Sequence, residues 1–66
     1  MKNIKKLLEE NEIVELSNNN NTFRVSFSHI RNLFVLRKND MDVRTFKSLK
    51  SLEMRLPAKL EVTDLF

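Results

Sequence analysis

The sequence predicts one small α+β domain, in which a short N-terminal helix and a longer C-terminal amphipathic helix pack against a three-stranded antiparallel sheet. Three observations predict it: an alternating strand pattern in mid-chain, a run of Asn typical of a turn, and apolar residues at helical spacing further on. The 66 residues suffice for a single domain over 1–66. A chain this short buries only about 60% of the surface that its unfolded form exposes.

The first part of the chain is predicted to contain a helix and a hairpin. Residues 3–10 place their apolar side chains on one side, and Asn3 is suited to cap the start of this helix. Residues 12–17 are predicted to form a strand. The uninterrupted Asn run at 18–21 predicts the turn that follows, because Asn tolerates the left-handed conformation.

Residues 22–28 give the clearest strand signal, because apolar and polar residues alternate without a break. Phe23, Val25 and Phe27 are predicted to face the core, while Arg24 faces the opposite, solvated side. Since the aromatic residues and Arg24 point apart, this pattern does not predict an aromatic platform for stacking bases.

The residue pattern of 29–38 is compatible with two secondary structures, a strand or a helix. The short, bulky apolar run favours a third strand at 32–38. Alternatively, Ser28 caps a helix through this segment, and the element order then resembles the ribbon-helix-helix layout of dimeric DNA-binding proteins. That resemblance implies a dimer on duplex DNA.

Residues 42–56 are predicted to form the long C-terminal helix, with Asp40 or Asp42 as its N-cap and Pro57 after its end. The tail, 58–66, is apolar and is compatible with either a final strand or a helical turn. The apolar residues that predict the helix recur every three or four positions: Val43, Phe46, Leu49, Leu52 and Leu56.

The composition argues against several classes of protein. Without glycine, neither tight type I′ turns nor phosphate-cradling loops are expected, which argues against nucleotide binding. Without cysteine and with His29 as the single histidine, no metal site or cofactor is expected. His29 is predicted to be a turn residue. The carboxylates form no acid–base pair and so short a chain leaves little room for a concave pocket, so neither an enzyme nor a small-molecule substrate is expected.

Positive charge is concentrated in the middle of the chain. The net charge is +3, and residues 18–59 carry nine basic side chains against three acidic ones. On the predicted 42–56 helix, one face combines basic and hydroxyl side chains without an acid, which suits a phosphate backbone. A helix face that is charged only because it is exposed to solvent would show a similar residue pattern. The face comprises Arg44, Lys47, Ser48, Ser51 and Arg55.

These patterns favour a small basic nucleic-acid-binding regulatory protein, which contacts the backbone of duplex DNA as a homodimer. Its primary contacts are the five residues of that face. Arg24, Arg37 and Lys38 are predicted as secondary contacts, although Arg24 is equally suited to pair across strands with Glu12 or Glu15.

The alternative is a small inhibitor or adaptor that binds a host protein, as is typical of short phage and plasmid accessory proteins. Its contact would be the apolar tail, the first helix or a sheet edge. No apolar run approaches the roughly 18–20 residues of a membrane span, so a cytoplasmic protein with no membrane contact is expected.

Overall fold

The computed structural model describes residues 3–66; Met1 and Lys2 lie outside the described residues. The sheet has five strands in the order β4-β3-β2-β1-β5, and each strand is antiparallel to its neighbours. The prediction of a three-stranded sheet with a long C-terminal amphipathic helix is therefore wrong. The elements are α1 (Ile4–Glu10), β1 (Ile13–Ser17), β2 (Thr22–Ser28), β3 (Leu33–Lys38), β4 (Asp42–Phe46), α2 (Leu49–Glu53) and β5 (Glu61–Leu65).

The first half of the chain folds as its local patterns predict. The side chain of Asn3 caps α1 by accepting the backbone N–H of Lys6 at 3.2 Å. In the β1–β2 turn, the side-chain oxygen of Asn18 accepts the backbone N–H groups of Asn20 and Asn21 at 2.9 and 2.8 Å. The predicted cap and the predicted Asn turn are both confirmed.

The β3–β4 turn corrects one expectation. Asn39 and Asp40 have φ of 52° and 59°, and the N–H of Met41 donates to the carbonyl of Lys38 at 3.0 Å. Positive φ at both central positions is the pattern of a type I′ turn, so Asn and Asp supply it here without glycine. The Asn39 side chain also accepts the N–H of Thr22 at 2.9 Å. The turn therefore sends the chain back beside β3.

As a result, the start of the predicted 42–56 helix forms an edge strand. The β-branched Val43 and Thr45 alternate with Arg44 and Phe46, and β4 pairs with β3 over its full length. The spacing from Val43 to Phe46 also fits a helical period, which made the pattern ambiguous. Pairing with β3 after the turn makes this segment a strand, and Val43 is 52% exposed instead of buried.

The helical part of this segment is the short α2. Ser48 is its N-cap, and the hydroxyl oxygen of Ser48 accepts the backbone N–H of Ser51 at 3.2 Å. Asp40 and Asp42, the predicted caps, lie instead in the β3–β4 turn and in β4. The helix ends at Glu53, before Pro57.

Residues 29–32 form the turn between β2 and β3, so the ribbon-helix-helix alternative is wrong and the predicted third strand is confirmed with a start at Leu33. His29 lies in this turn, as expected. The tail forms β5, which pairs with β1. Because β4 and β5 occupy opposite edges of the sheet, residues 47–60 must cross it.

The core lies on one face of the sheet, here called the helix side. The cross-strand register places Val14 of β1 beside Val25 of β2, which in turn lies beside Leu36 of β3. Ile4 of α1 and Leu52 of α2 complete this cluster from above. The buried residues are Ile4, Val14, Leu16, Phe23, Val25, Leu36, Leu52 and Leu56.

Candidate functional site

The face of the sheet opposite the helices is here called the open face. Neither helix of residues 3–66 contributes its buried side chain to this face, because both pack into the core on the helix side. Alternation along the strands and the cross-strand register assign its members. On β1 to β4 they are Ile13, Glu15, Ser17, Thr22, Arg24, Ser26, Ser28, Leu33, Val35, Arg37, Val43 and Thr45.

Arg24 is held by contacts within the open face. Its Nε donates to Oε2 of Glu15 at 2.9 Å, and its Cζ lies 5.6 Å from the centre of the Phe66 ring. The other carboxylate oxygen of Glu15 accepts the hydroxyl of Thr63 at 3.3 Å. Cross-strand pairing of Arg24 with Glu15 is thus confirmed, and this side chain already has an internal partner.

Phe66 is an exception to the expectation that the aromatic residues and Arg24 lie on opposite faces of the sheet. The other four phenylalanines lie on β2, β3 and β4, with their side chains on the helix side. Phe66 instead follows β5, and its N–H donates to the carbonyl of Ile13 at 2.9 Å. That pairing places the ring on the open face, 53% exposed. No local pattern gives this result, because it depends on pairing between the two ends of the chain.

The open face brings two predicted residues together but does not make a basic surface. Arg24 and Arg37 are cross-strand neighbours in β2 and β3. Glu15 lies on the other side of Arg24, and Asp64 of β5 is in register with Glu15. By the same alternation Ser17 faces this side, and Glu61 is in register with it. Three carboxylates therefore face two arginines, so the open face offers no positive excess to a phosphate backbone.

The predicted acid-free helix face does not exist as such. Arg44 lies in β4 on the helix side, in register with Leu36, whereas Lys47 precedes α2 and Arg55 follows it. Ser48 and Ser51 belong to the cap of α2, where their hydroxyl groups bond each other at 2.9 Å. These two serines therefore stabilise a helix start, and they are not arranged as phosphate ligands.

A basic surface nevertheless remains, made differently from the predicted one. Helix α2 packs on β3 and β4, so residues 37–55 form one end of the sheet. This segment carries six basic side chains against three acidic ones, and all six are exposed. This surface, here called the basic end, comprises Arg37, Lys38, Arg44, Lys47, Lys50 and Arg55.

The opposite end of the sheet is acidic, so charge is polarised along the strand order. Elements α1, β1 and β5, with the two residues between α1 and β1, carry six carboxylates against two lysines. The carboxylates are those of Glu9, Glu10, Glu12, Glu15, Glu61 and Asp64. A sequence count shows a basic middle and acidic ends, but only the strand order shows that they occupy opposite edges of one sheet.

The two edges of the sheet differ in protection. Strand β4 pairs with β3 in an uninterrupted register over five residues, and residues 42–45 are all exposed. Strand β5 has a register irregularity opposite Glu15 and Leu16 and carries two carboxylates. Strand β4 also carries two charged residues, Asp42 and Arg44, so charge does not distinguish the two edges. A bulge discourages strand addition, so β4 with its regular register is the more available edge.

Among residues 3–66, no group of three or more His, Cys, Asp and Glu side chains is placed to hold a metal ion. Across the same residues, neither helix has the length and apolar character needed to cross a membrane.

Comparisons with protein-family models, curated proteins and solved structures find no match to this chain.

Proposed function

We propose that this protein is a small protein-binding adaptor or inhibitor that pairs an extended segment of its partner with the free edge of β4. The observation that carries the proposal is the regular, exposed outer edge of this strand within residues 3–66. Such an edge has a row of backbone N–H and C=O groups that a second chain can satisfy. Strand addition of this kind gives affinity through main-chain hydrogen bonds.

The side chains of β4 define what the added strand should look like. Asp42 and Arg44 lie on the helix side, and Val43 and Thr45 lie on the open face. The side chains of an added strand alternate in the same way, so one set lies near Arg44 and the other near Val43. In the helix-side row Asp42 has Lys38 as its cross-strand neighbour, and Arg44 with the rest of the basic end supplies the positive excess. Carboxylates are therefore favoured on that row and aliphatic side chains on the other row. The partner segment is therefore acidic and alternating.

A short capped peptide of alternating Glu and Val tests this proposal, with the matched Lys and Val peptide for comparison. We expect fluorescence anisotropy to show binding of the Glu peptide and clearly weaker binding of the Lys peptide. Substituting Arg44→Glu should weaken the Glu peptide about two- to tenfold, because a cross-strand attraction becomes a repulsion.

Lys5→Glu is the control, because it makes the same change of charge at an exposed position of α1, away from β4. It should leave peptide affinity nearly unchanged. Absence of binding at about 1 mM peptide, or equal affinity for the two peptides, would contradict the proposal.

Binding to a nucleic-acid backbone is the second candidate, and the six exposed cations of the basic end favour it. If it operates, generic duplex DNA should bind at about 50 mM salt and dissociate as salt rises. Lys47→Glu should weaken that binding, and a polarisation titration measures it. No binding at about 50 mM salt rules this candidate out, because non-specific affinity is strong there.

A further inference from the structure

A cleft opens where the helices leave one end of the core uncovered. It has a volume of about 880 Å³ and lies between α1, the start of α2 and the ends of the central strands. The sequence led us to expect little room for such a pocket. Its apolar lining on the helix side consists of side chains that are only half-buried, so water reaches them: Leu8, Phe27, Phe34 and Leu49.

The charged lining of this cleft is mainly acidic. Glu9, Glu10 and Glu12 line it from α1 and the following residues, and Lys5 is the one Lys or Arg among the lining residues of the described chain. An apolar floor with a carboxylate rim is complementary to an apolar side chain that has a cation next to it.

The turn between β2 and β3 carries such a pair. Ile30 is 99% exposed, and Arg31 follows it on the same turn. Turns usually carry Gly, Pro, Asn, Asp or Ser, each for a backbone reason that Ile does not share. The turn is locally ordered: Asn32 has φ of 57°, and the Arg31 N–H donates to the Ser28 hydroxyl at 3.3 Å. Local structure therefore does not account for an exposed Ile at its tip.

We propose that Ile30 and Arg31 of one copy of this chain bind the cleft of a second copy. Ile30 covers the floor at Phe27 and Phe34, and Arg31 meets the carboxylates of the rim. The Ile30–Arg31 pair lies next to the cleft of its own copy, because His29, the residue before Ile30, lines that cleft. In two copies related by a two-fold axis, Ile30 and Arg31 of each copy can therefore bind the cleft of the other. Both clefts are then occupied, and the assembly is a closed dimer.

The dimer is independent of the β4 edge, so the two proposals can fail separately. Sedimentation velocity of the full chain, from about 10 μM to about 1 mM, measures it. We expect reversible dimerisation that weakens at least about tenfold in Ile30→Asp, since each dimer loses two buried Ile side chains. Because Ile30 is fully exposed in one copy, this variant should keep the fold and its circular dichroism spectrum.

Met54→Asp is the matched control, because Met54 is 79% exposed on another surface. It should dimerise as the parent chain does. Arg31→Glu should weaken the dimer, and combining it with Glu9→Lys and Glu12→Lys should restore it, because the attraction is rebuilt with reversed signs.

Several outcomes overturn the proposal. A chain that is monomeric at every concentration has no such dimer. A dimer unaffected by Ile30→Asp, or weakened equally by Met54→Asp, uses another surface. If the reversed-charge combination does not restore association, Arg31 does not contact this rim.

Discussion

Replacing Leu52 by Ala is expected to lower the free energy of unfolding by about 2–5 kcal/mol. Leu52 has no exposed surface, and it holds α2 on the sheet while the chain crosses from one edge to the other. Removing its side chain loses apolar burial and leaves a cavity. A core of this size stabilises a domain by only about 3–5 kcal/mol, so much of the variant should be unfolded at 25 °C.

Urea denaturation followed by circular dichroism measures this loss. Met54→Ala is the control in the same segment, and its side chain is 79% exposed. It should change the free energy of unfolding by less than about 0.5 kcal/mol. Similar losses in the two variants would show that α2 does not pack through Leu52.

Replacing Phe23 by Ala is expected to cost about 3–5 kcal/mol, because its ring is only 4% exposed and lies within the core. Phe66→Ala removes the same side chain from the open face, where the ring is 53% exposed and contacts Arg24. A partly exposed cation–π contact contributes about 0.5–1 kcal/mol, so this variant should remain folded.

The difference between these two phenylalanines tests which face of the sheet is buried, and thermal or urea unfolding measures it. If Phe66→Ala destabilises the chain as much as Phe23→Ala, the Phe66 ring is buried and the open face is covered rather than exposed to solvent. The description of Arg24 as a partner of an exposed ring would then be wrong.

Local patterns predict the elements whose signal is contained in a few neighbouring residues. Strict alternation identified β2, and the run from 18 to 21 identified its preceding turn. The side chain of Asn3 capped α1 as expected. Each of these depends on hydrogen bonds or alternation within about seven residues, so no distant contact was needed to decide them.

The segment 42–56 could not be resolved in this way. A period of three from Val43 through Phe46 to Leu49 fits a helix, but the Asn39–Asp40 turn positions the first part beside β3. Ladder hydrogen bonds and the Ser48 cap then divide the segment into a strand and a short helix. Tertiary pairing overrides a weak local preference here.

The sequence offered a sheet edge as one of three possible contacts, but it did not predict which edge, for the same reason. Availability of an edge is a property of strand order, and the order β4-β3-β2-β1-β5 requires β5 to return beside β1. The composition showed the basic excess of residues 18–59. It did not show that exposed cations would flank a free strand edge while carboxylates gathered at the opposite one.

Amide hydrogen exchange of the chain, followed by NMR with and without saturating Glu and Val peptide, tests strand addition at β4 most directly. An added strand bonds alternate residues of an edge, so we expect alternate amides of Asp42–Phe46 to become protected while those of Glu61–Leu65 do not change. Protection confined to Glu61–Leu65, or the absence of any protected amide in Asp42–Phe46 with peptide bound, would contradict this account.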